Sequence, residues 1–491
     1  MSAIDHIFVL MLENRSFDHM LGFSQITGTD AETGQPTQID GLTGTESNSY
    51  GGRTYPVSPS APFTMRTDPG HEFSDVVIQL AGAGGSFPPG GPYPSVDCSG
   101  FAADFAAAGG SDPGQVLMCF DPDNLPVLTA LCREFAVCDR WFSSMPGPTW
   151  PNRLFAAAAS SSGLDHSPRV DEITRWETVQ GFSFRNGTIF DRLKQHGLPF
   201  RLYGDWITIT GALKGISPTY IHGLSTFSGD VAQPSYPAAY TFIEPDYGSF
   251  WSNYLGGTSQ HPLDDVRGGE QIIKSTYEAL RASPLWDRSM LIITWDEHGG
   301  FYDHVRPGSA QAPGDEVHTP HNRNGFGFDV YGVRVPAVVV APRIPRNVVD
   351  HRIYDHTSIL ATVEHAFGLT PLTARDAAAR PLLDLASLST ARPDTPTTLP
   401  EPAGPALAAP AALGALSQPV HPDADVDGSN LAGFIHVALR QDLTVTPPEE
   451  REARVARARA ITTREEARNY LEEVRQRVRA AAISVRPPDE H

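Results

Sequence analysis

Three largely apolar stretches of strand length recur along the chain, at residues 4–12, 290–295 and 333–341. None of them alternates regularly between apolar and polar positions. Continuous apolar runs of this length are typical of strands that are buried on both faces of a sheet. The pattern therefore predicts three inner strands.

Helical periodicity lies between and after these strands. Residues 269–282 precede the second strand, and residues 357–367 follow the third with apolar side chains at helical spacing. Buried strands that alternate with amphipathic helices indicate an α/β fold with a mainly parallel central sheet flanked by helices. Such sheets bind ligands beyond the carboxyl ends of their strands. The residues that directly follow the strands are therefore the first candidates for a functional site.

Composition divides the rest of the chain. Residues 1–390 are assigned to one main domain that contains all the candidate chemistry. Within it, residues 43–125 are rich in Gly, Pro, Ser and Asp, which predicts a loop-rich cap region. Residues 391–446 are predicted to be a Pro/Ala-rich linker and extension, and residues 447–491 to form a charged C-terminal helix.

The predicted C-terminal helix has a start signal and an apolar stripe. Thr462 with Glu465 fits a capping box, and Leu471, Val474 and Val478 recur at helical spacing. A stripe this narrow predicts a surface helix that docks either on the body of the protein or on another subunit. An oligomer formed through this helix is therefore one of the two alternatives.

Charge limits the classes of partner. The 491 residues include 57 acidic and 37 basic side chains, a formal net charge of −20. This charge repels phosphate polyanions, so nucleic-acid binding is not expected and an anionic membrane surface is a poor partner. No apolar stretch approaches the roughly 20 residues that span a bilayer, so we expect no transmembrane anchor. The N-terminus lacks the pattern of a secretory signal, which favours a cytoplasmic location.

The four cysteines lie close together in the sequence but show no C-x-x-C spacing, so neither a zinc site nor a redox pair is indicated. They are Cys98, Cys119, Cys132 and Cys138. Buried free thiols are favoured because the absence of a secretory pattern suggests a reducing compartment, whereas their clustering leaves disulfides as the alternative.

Acidic and amide side chains follow two of the predicted strands. Glu13 and Asn14 follow the first strand, and Asp296 and Glu297 follow the second. A hard divalent cation prefers oxygen ligands. Adjacent carboxylates at a buried strand end repel each other unless a cation lies between them. The pattern favours a metal site over the alternative, a solvated acidic turn.

A third motif, residues 145–153 (MPGPTWPNR), precedes an alanine-rich helix. Pro151 suits the first turn of that helix, and Thr149 is predicted at its N-cap. A hydroxyl at this position faces free N–H groups and the positive end of the helix dipole, which favours an alkoxide or a bound phosphate. Plain helix capping is the alternative.

Together, the motifs ENRSFDH (13–19), PGPTWPNR (146–153) and DEHGGFYDH (296–304) resemble the phosphoesterase family. That family contains the bacterial and plant non-specific phospholipases C and related acid phosphatases. The resemblance covers roughly residues 4–385. It implies an alkaline-phosphatase-like sheet and one divalent metal ion, and Ca, Mg, Mn and Zn all remain open as its identity. The implied ligands are Glu13, Asn14, Thr149, Asp296 and Glu297, with Thr149 also the nucleophile.

The resemblance also indicates which histidines to consider. His71, in DPGH, and less closely His261, in HPLDD, resemble active-site histidines of the family, and His304 is a further catalytic candidate. An imidazole beside a phosphate can stabilise charge or protonate the leaving alkoxide. The alternative for each is hydrogen bonding within a loop. His356 is expected to pack or to cap a helix.

The Thr149 nucleophile and the Asp–Glu pair favour the phospholipase C branch, which releases diacylglycerol and a phosphorylated headgroup. The acidic surface suits a zwitterionic lipid such as phosphatidylcholine, with transient contact at a membrane interface. An aromatic box would bind the quaternary ammonium group, and core or loop packing is the favoured alternative for each ring taken alone. Acid phosphatase activity on soluble phosphomonoesters, and an inactive binding module, are the alternatives. The candidate substrate-binding residues are Asn152, Arg153, Tyr203, Asp205, Trp206, Tyr247 and Trp251.

Overall fold

A ten-stranded sheet forms the centre of the protein. The computed structural model describes residues 4–217, 220–249, 256–315, 319–404, 423–427 and 429–485. The strands are β1 (His6–Leu12), β2 (Thr27–Asp30), β3 (Pro36–Gln38), β4 (Ser47–Tyr50), β5 (Arg53–Pro56), β6 (Ala136–Cys138), β7 (Phe200–Gly204), β8 (Ile221–Gly223), β9 (Tyr240–Ile243), β10 (Ser289–Trp295), β11 (Ala337–Val340) and β12 (Val348–Asp350). The sheet order is β3-β2-β12-β6-β11-β10-β1-β9-β7-β8, and β4 and β5 form a separate hairpin.

The sheet is mainly parallel, as predicted. Strand β1 pairs in parallel with both β9 and β10, and its register runs from His6 opposite Ser289 to Leu12 opposite Trp295. These two strands therefore end at the same level. Strand β11 is antiparallel to both of its neighbours. It is also shorter than the predicted stretch, since Pro336 has no N–H to donate to a strand ladder.

Helices lie between the strands and beyond the last of them. They are α1 (Phe17–Leu21), α2 (Phe73–Ala81), α3 (Phe101–Ala107), α4 (Pro126–Glu134), α5 (Thr149–Ala158), α6 (Val170–Ile173), α7 (Trp176–Val179), α8 (Ile189–Gln195), α9 (Phe227–Val231), α10 (Val266–Arg281), α11 (Thr357–Phe367), α12 (Ala374–Ala378), α13 (Leu431–Val445), α14 (Arg451–Arg459) and α15 (Arg464–Val485). Both predicted helices are confirmed. Helix α10 begins three residues early because Asp265 caps it by accepting a hydrogen bond from the Arg267 N–H.

The cap region, residues 43–125, contains the β4–β5 hairpin together with α2 and α3. It also has an apolar cluster of its own, in which Leu80, Phe101 and Val116 are fully buried. The region is therefore more regular than its loop-like composition suggests. Helix α2 lies at the end of the sheet where β1 and β10 end, since Gln79 on this helix contacts His298 in the turn after β10.

The C-terminal region packs on the rest of the chain. Helix α13 lies within the segment predicted as linker and extension, and Phe434 and Leu439 on it are fully buried. Beyond it, the structure has two helices, α14 and α15, where the sequence suggested one. The predicted capping box is wrong by one residue, because Glu466 rather than Glu465 accepts the N–H groups of Thr462 and Thr463.

The apolar stripe of α15 docks on the body of the same chain. Leu471 and Val474 are fully buried, and Val478 packs against the main core. Arg477 pairs with the buried carboxylate of Asp442 on α13 at 2.8 Å. Docking within the chain is thus confirmed for this helix, whereas oligomerisation stays a prediction.

All four cysteines are buried and free, as favoured from the sequence. Among the described residues, no helix combines the length and apolar character needed to cross a bilayer. The predicted cytoplasmic location stays a prediction.

Candidate active site

The ends of β1 and β10 bring together the acidic and amide residues that follow them. The Asn14 N–H donates to Asp296 Oδ1 at 3.0 Å, and the Asn14 side-chain amide donates to the Glu297 carboxylate. Asn14 has a φ of 59°, in the left-handed region that asparagine tolerates. The backbone of Asn14 therefore turns so that its N–H points towards the end of β10. The in-register pairing of β1 and β10 thus gathers the two predicted motifs at one place.

Gly299 allows the two strand ends to approach closely. It has a φ of 64°, and a Cβ at this position would lie 2.2 Å from the Asn14 carbonyl oxygen. Its N–H donates to Glu297 Oε2 at 2.6 Å. A side chain at this position would therefore displace the Asn14 backbone.

The carboxylates of the site are buried, and Glu13 lacks the hydrogen bonds that Asp296 and Glu297 accept. Glu13, Asp296 and Glu297 have no solvent exposure. Within the described residues, neither carboxylate oxygen of Glu13 accepts a hydrogen bond of normal geometry. The same is true of Asn14 Oδ1. Burial, followed by the charge of Asp296, raises the pKa of Glu13 well above its ordinary value. Burial likewise raises the pKa of Asp296 to about 6. Unpartnered buried oxygens of this kind fit a bound cation.

Arg153 is the counter-ion of this cluster. Its Nε donates to Asp296 Oδ2 at 2.8 Å, and its Nη2 donates to the carbonyl oxygens of Met11 and Leu12. Its other terminal nitrogen lies 3.8 Å from Glu244 Oε2. The predicted role of Arg153 in substrate binding stays a prediction: its Nε and Nη2 bind the strand ends, whereas its buried Nη1 has no hydrogen-bond partner among the described residues.

Glu244 was not predicted. It directly follows β9 and is buried, and it accepts hydrogen bonds from the backbone N–H groups of Ile209 and Thr210. Tyr247 donates its hydroxyl to the same carboxylate at 2.7 Å. The only sequence signal was its place after a short apolar strand, a third case of an acidic residue at the carboxyl end of a parallel strand.

Thr149 begins α5, and Pro148 rather than Thr149 is the N-cap residue. The predicted cap position is therefore wrong by one residue, which leaves the hydroxyl uninvolved in capping. Asn152 donates to the carbonyl oxygens of Met145, Gly147 and Pro148, and its own side-chain oxygen accepts the Met145 N–H. Asn152 therefore shapes the loop that leads to Thr149, and its predicted contact with substrate stays a prediction.

Asn430, from the C-terminal region, contacts the Thr149 hydroxyl. Its side-chain Nδ2 donates to Thr149 Oγ1 at 3.1 Å, and both residues are buried. Asn430 stands at the N-cap position of α13 but makes no capping hydrogen bond with its side chain. Sequence reasoning missed this residue, since asparagine before a helix is ordinarily a cap.

The cap region places His71 beside the carboxylates. A Cβ on Gly300 would lie 2.5 Å from the Gly70 carbonyl oxygen, so the segment before His71 lies directly on the turn after Glu297. Burial opposes a charge on His71, but Glu297, Asp68 and Glu72 outweigh it and raise its pKa to about 10. His71 is therefore a cation near the buried carboxylates.

His261 lies next to His71 and is in the opposite state. The two rings are 6.2 Å apart and nearly perpendicular. Burial, then the charges of His71 and Arg15, lower the pKa of His261 well below its ordinary value. Its Nε2 is 3.7 Å from Asp68 Oδ2. The pair thus combines a charged and a neutral imidazole, a combination suited to donating and accepting protons.

His304 belongs to a different cluster. Its Nδ1 lies 2.6 Å from Asp18 Oδ2, and its Nε2 lies 3.2 Å from Asp40 Oδ1. Asp18, Asp303 and His304 lie close enough together to hold a metal ion. Arg334, however, pairs with Asp18 at 2.8 Å and with Asp303 at 3.1 Å. This cluster is a buried ion-pair network, and the contacts of His304 do not reach the carboxylates of the site.

His356 is also closer to the site than predicted. Its Nε2 donates to the backbone oxygen of Asp296 at 2.6 Å, and its Nδ1 accepts from the Trp141 indole. Burial lowers its pKa to about 4, so it is neutral. It supports the backbone of a predicted metal ligand and makes no side-chain cap to α11.

The described aromatic residues that were predicted to form a box all contact other groups of the protein. The Tyr203 hydroxyl donates to Asp230 at 2.9 Å, and the Arg475 guanidinium lies over the Trp206 ring at 5.4 Å. Tyr247 binds Glu244 and packs on α13. Asp205 is exposed, and Trp251 lies outside the described residues. These contacts fit packing roles for the described rings, and the aromatic box stays a prediction.

Comparison with known proteins agrees with these motifs. The non-specific phospholipase C6 of Arabidopsis thaliana is 38% identical over 82% of this chain and 75% of its own length. Phospholipase C B of Mycobacterium tuberculosis is 28% identical over 75% of this chain and 74% of its own.

Among solved structures, a protein of the alkaline phosphatase superfamily from Vibrio parahaemolyticus is 16% identical, with a TM-score of 0.30 over 53% of this chain and 64% of its own. That likeness adds nothing to the assignment, which rests on the sequence. The model of the phosphoesterase family matches residues 4–370, and the chain therefore belongs to the phosphoesterase family.

Proposed function

We propose that the protein is a metal-dependent phospholipase C that hydrolyses phosphatidylcholine-type lipids to diacylglycerol and a phosphorylated headgroup. The carrying observation is the buried cluster of Glu13, Asp296 and Glu297 at the strand ends, in which both carboxylate oxygens of Glu13 lack a hydrogen-bond partner among the described residues. The names of the relatives, non-specific phospholipase C and phospholipase C, support the lipid substrate. The net charge of −20 favours a zwitterionic headgroup over an anionic one.

The chain offers an oxygen-only ligand set for one divalent cation. The residues that would hold it are Glu13, Asn14, Thr149, Asp296 and Glu297. The unpartnered oxygens of Glu13 and Asn14 fit this assignment. When bound, such a cation lowers the pKa of a hydroxyl and neutralises charge on a phosphoryl oxygen. Calcium, magnesium, manganese and zinc all accept such ligands.

Thr149 is the proposed nucleophile. Its hydroxyl lies at the start of α5, where free backbone N–H groups and the helix dipole favour negative charge. Attack forms a bond between Thr149 Oγ1 and phosphorus and breaks the bond from phosphorus to the glycerol oxygen. Asn430 donates to the attacking oxygen and so orients it. Water then hydrolyses the phosphothreonine and regenerates the hydroxyl.

The two histidines of the site are the proposed proton carriers. His71 is charged and donates its proton to the departing glycerol oxygen. His261 is neutral, and it accepts the proton that Thr149 releases on attack. In the second step the attacking water gives its proton to His71, and His261 returns its proton to the Thr149 oxygen as that oxygen leaves phosphorus. Each transfer belongs to general acid–base catalysis, which contributes about 10²- to 10⁴-fold to rates.

The experiment compares turnover of p-nitrophenylphosphorylcholine and p-nitrophenyl phosphate, with and without a chelator. We expect preference for the first substrate, loss of turnover with chelator and recovery with one added metal. Thr149→Ala and Asp296→Asn should abolish turnover while retaining the circular dichroism spectrum of the wild type. Near-normal activity of either variant would overturn the mechanism. Preference for p-nitrophenyl phosphate would indicate a phosphatase, and metal binding without turnover an inactive binding module.

A further inference from the structure

Gln79 connects two segments of the candidate active site. It lies on α2 and has no solvent exposure. Its Nε2 donates to the Gly70 carbonyl oxygen at 2.6 Å and to Asp104 Oδ2 at 2.7 Å. Its Oε1 lies 2.6 Å from His298 Nε2. Since a carbonyl group can only accept, the Gly70 contact fixes the orientation of the amide, and His298 must donate from Nε2.

Each end of this amide holds a residue next to the proposed chemistry. Gly70 precedes His71, and His298 follows Glu297. His298 Nδ1 also lies 3.4 Å from Glu297 Oε2. One side chain thus joins the segment that carries the proposed proton donor to the turn that carries a proposed metal ligand.

Close packing alone does not account for this arrangement. Gly300 already allows the Gly70 segment to lie on the turn, with a Cβ-to-oxygen approach of 2.5 Å. Gln79 also fixes the orientation of the Gly70 segment on the turn, because its three short hydrogen bonds specify both the distances and the angles between the bonded groups. A general acid needs such definition, since a displacement of about 1 Å costs up to about 100-fold in rate.

We propose that Gln79 is a positioning residue for His71. It fixes His71 relative to Glu297 in the place from which His71 protonates the leaving alcohol. The proposal rests on the role assigned to His71 in the proposed function. It predicts a defect that depends on the leaving group. A glycerol alkoxide needs a proton to depart, whereas p-nitrophenolate is stable without one.

The test uses two substrates with the same headgroup, phosphatidylcholine in detergent micelles and p-nitrophenylphosphorylcholine. Gln79→Met keeps the length of the side chain and removes all three hydrogen bonds. We expect it to lower kcat/KM on the lipid by at least about tenfold and on the nitrophenyl ester by less than about threefold, since kcat/KM excludes the second step that both substrates share. His71→Ala should show the same selectivity, and the double variant should lose little more than His71→Ala alone.

Gln115→Met is the matched control, since Gln115 is a partly buried glutamine of the cap region whose side chain is outside this network. It should resemble the wild type on both substrates. Metal content by elemental analysis should be unchanged in every variant, which separates positioning from loss of the metal. Gln79→Glu retains the acceptor for His298 but loses the donor for Gly70, and it serves the same test if Gln79→Met does not fold.

The outcomes are distinct. An equal loss on both substrates, unchanged kcat/KM on the lipid, or additive losses in the double variant would overturn the positioning role. A wild-type protein that turns over neither substrate despite bound metal would overturn the proposed function itself.

Discussion

Arg153→Met removes the counter-ion of the site without changing the length of the side chain greatly. Arg153 is 4% exposed, and it binds Asp296 and two strand-end carbonyl groups with three hydrogen bonds of 2.8 to 3.2 Å. The substitution leaves the buried carboxylate of Asp296 without its cation.

Breaking a buried ion pair by removing one partner costs about 3–5 kcal/mol, because the remaining charge stays desolvated. We therefore expect the metal-free variant to lose about 3–5 kcal/mol in free energy of unfolding. A bound divalent cation provides a second counter-charge for the carboxylates. The loss should accordingly be smaller when metal is present in excess.

The assay is equilibrium unfolding in urea, followed by tryptophan fluorescence and circular dichroism, with chelator and with added metal. Arg346→Met is the control, since Arg346 also pairs with two carboxylates but is 49% exposed. Exposed pairs contribute about 0–1 kcal/mol. A loss below about 1 kcal/mol for metal-free Arg153→Met, or a loss that metal does not reduce, would refute the assignment of Arg153 as counter-ion to a metal ligand.

Three further predictions concern the surroundings of the site. Asn430→Ala removes one neutral hydrogen bond to Thr149, so kcat should fall by about 2- to 12-fold, the equivalent of about 0.5–1.5 kcal/mol; unchanged kcat would show that the contact is not used. Leu471→Ala should lower the free energy of unfolding by about 2–5 kcal/mol because Leu471 is fully buried, whereas exposed Glu472→Ala should change it by less than about 0.5 kcal/mol. Burial opposes a positive charge on His304, but its pairing with Asp18 and Asp40 outweighs burial and raises its pKa from 6.5 to about 10. Its stabilising contribution should be complete below pH 6.5 and decline towards pH 10, so the stability difference between wild type and His304→Gln should shrink over that range, and a difference that grows with pH would contradict the pairing.

The sequence was most informative where burial on both faces dictates the pattern. The apolar runs that became β1 and β10 were recognisable, and so were the acidic residues at their ends, because parallel strands of equal register must end together. Helix α11 matched its predicted bounds, from Thr357 to Phe367. These features depend on local periodicity and on the rule that parallel strands in register end at the same edge of the sheet.

Features that depend on distant contacts were not recognisable. An apolar run does not indicate whether its strand is parallel or antiparallel to its neighbours. The antiparallel direction of β11 therefore could not be predicted. Asn430 contacts a residue 281 positions away, and nothing local distinguishes it from a capping asparagine. The contacts of Trp206 with Arg475 and of Arg153 with Asp296 likewise join residues far apart in the sequence, so they were not recognisable from it.

The pairing of β1 with β10 also has a consequence for biosynthesis. Asn14 and Asp296 are 282 residues apart, and both strands must be present before the carboxylates meet. Ribosomes add about 5–20 residues per second, so the first half of the site waits about 15–60 seconds for the second. A nascent chain therefore cannot assemble this metal site early, and metal loading should follow, rather than guide, the folding of the amino-terminal part during translation.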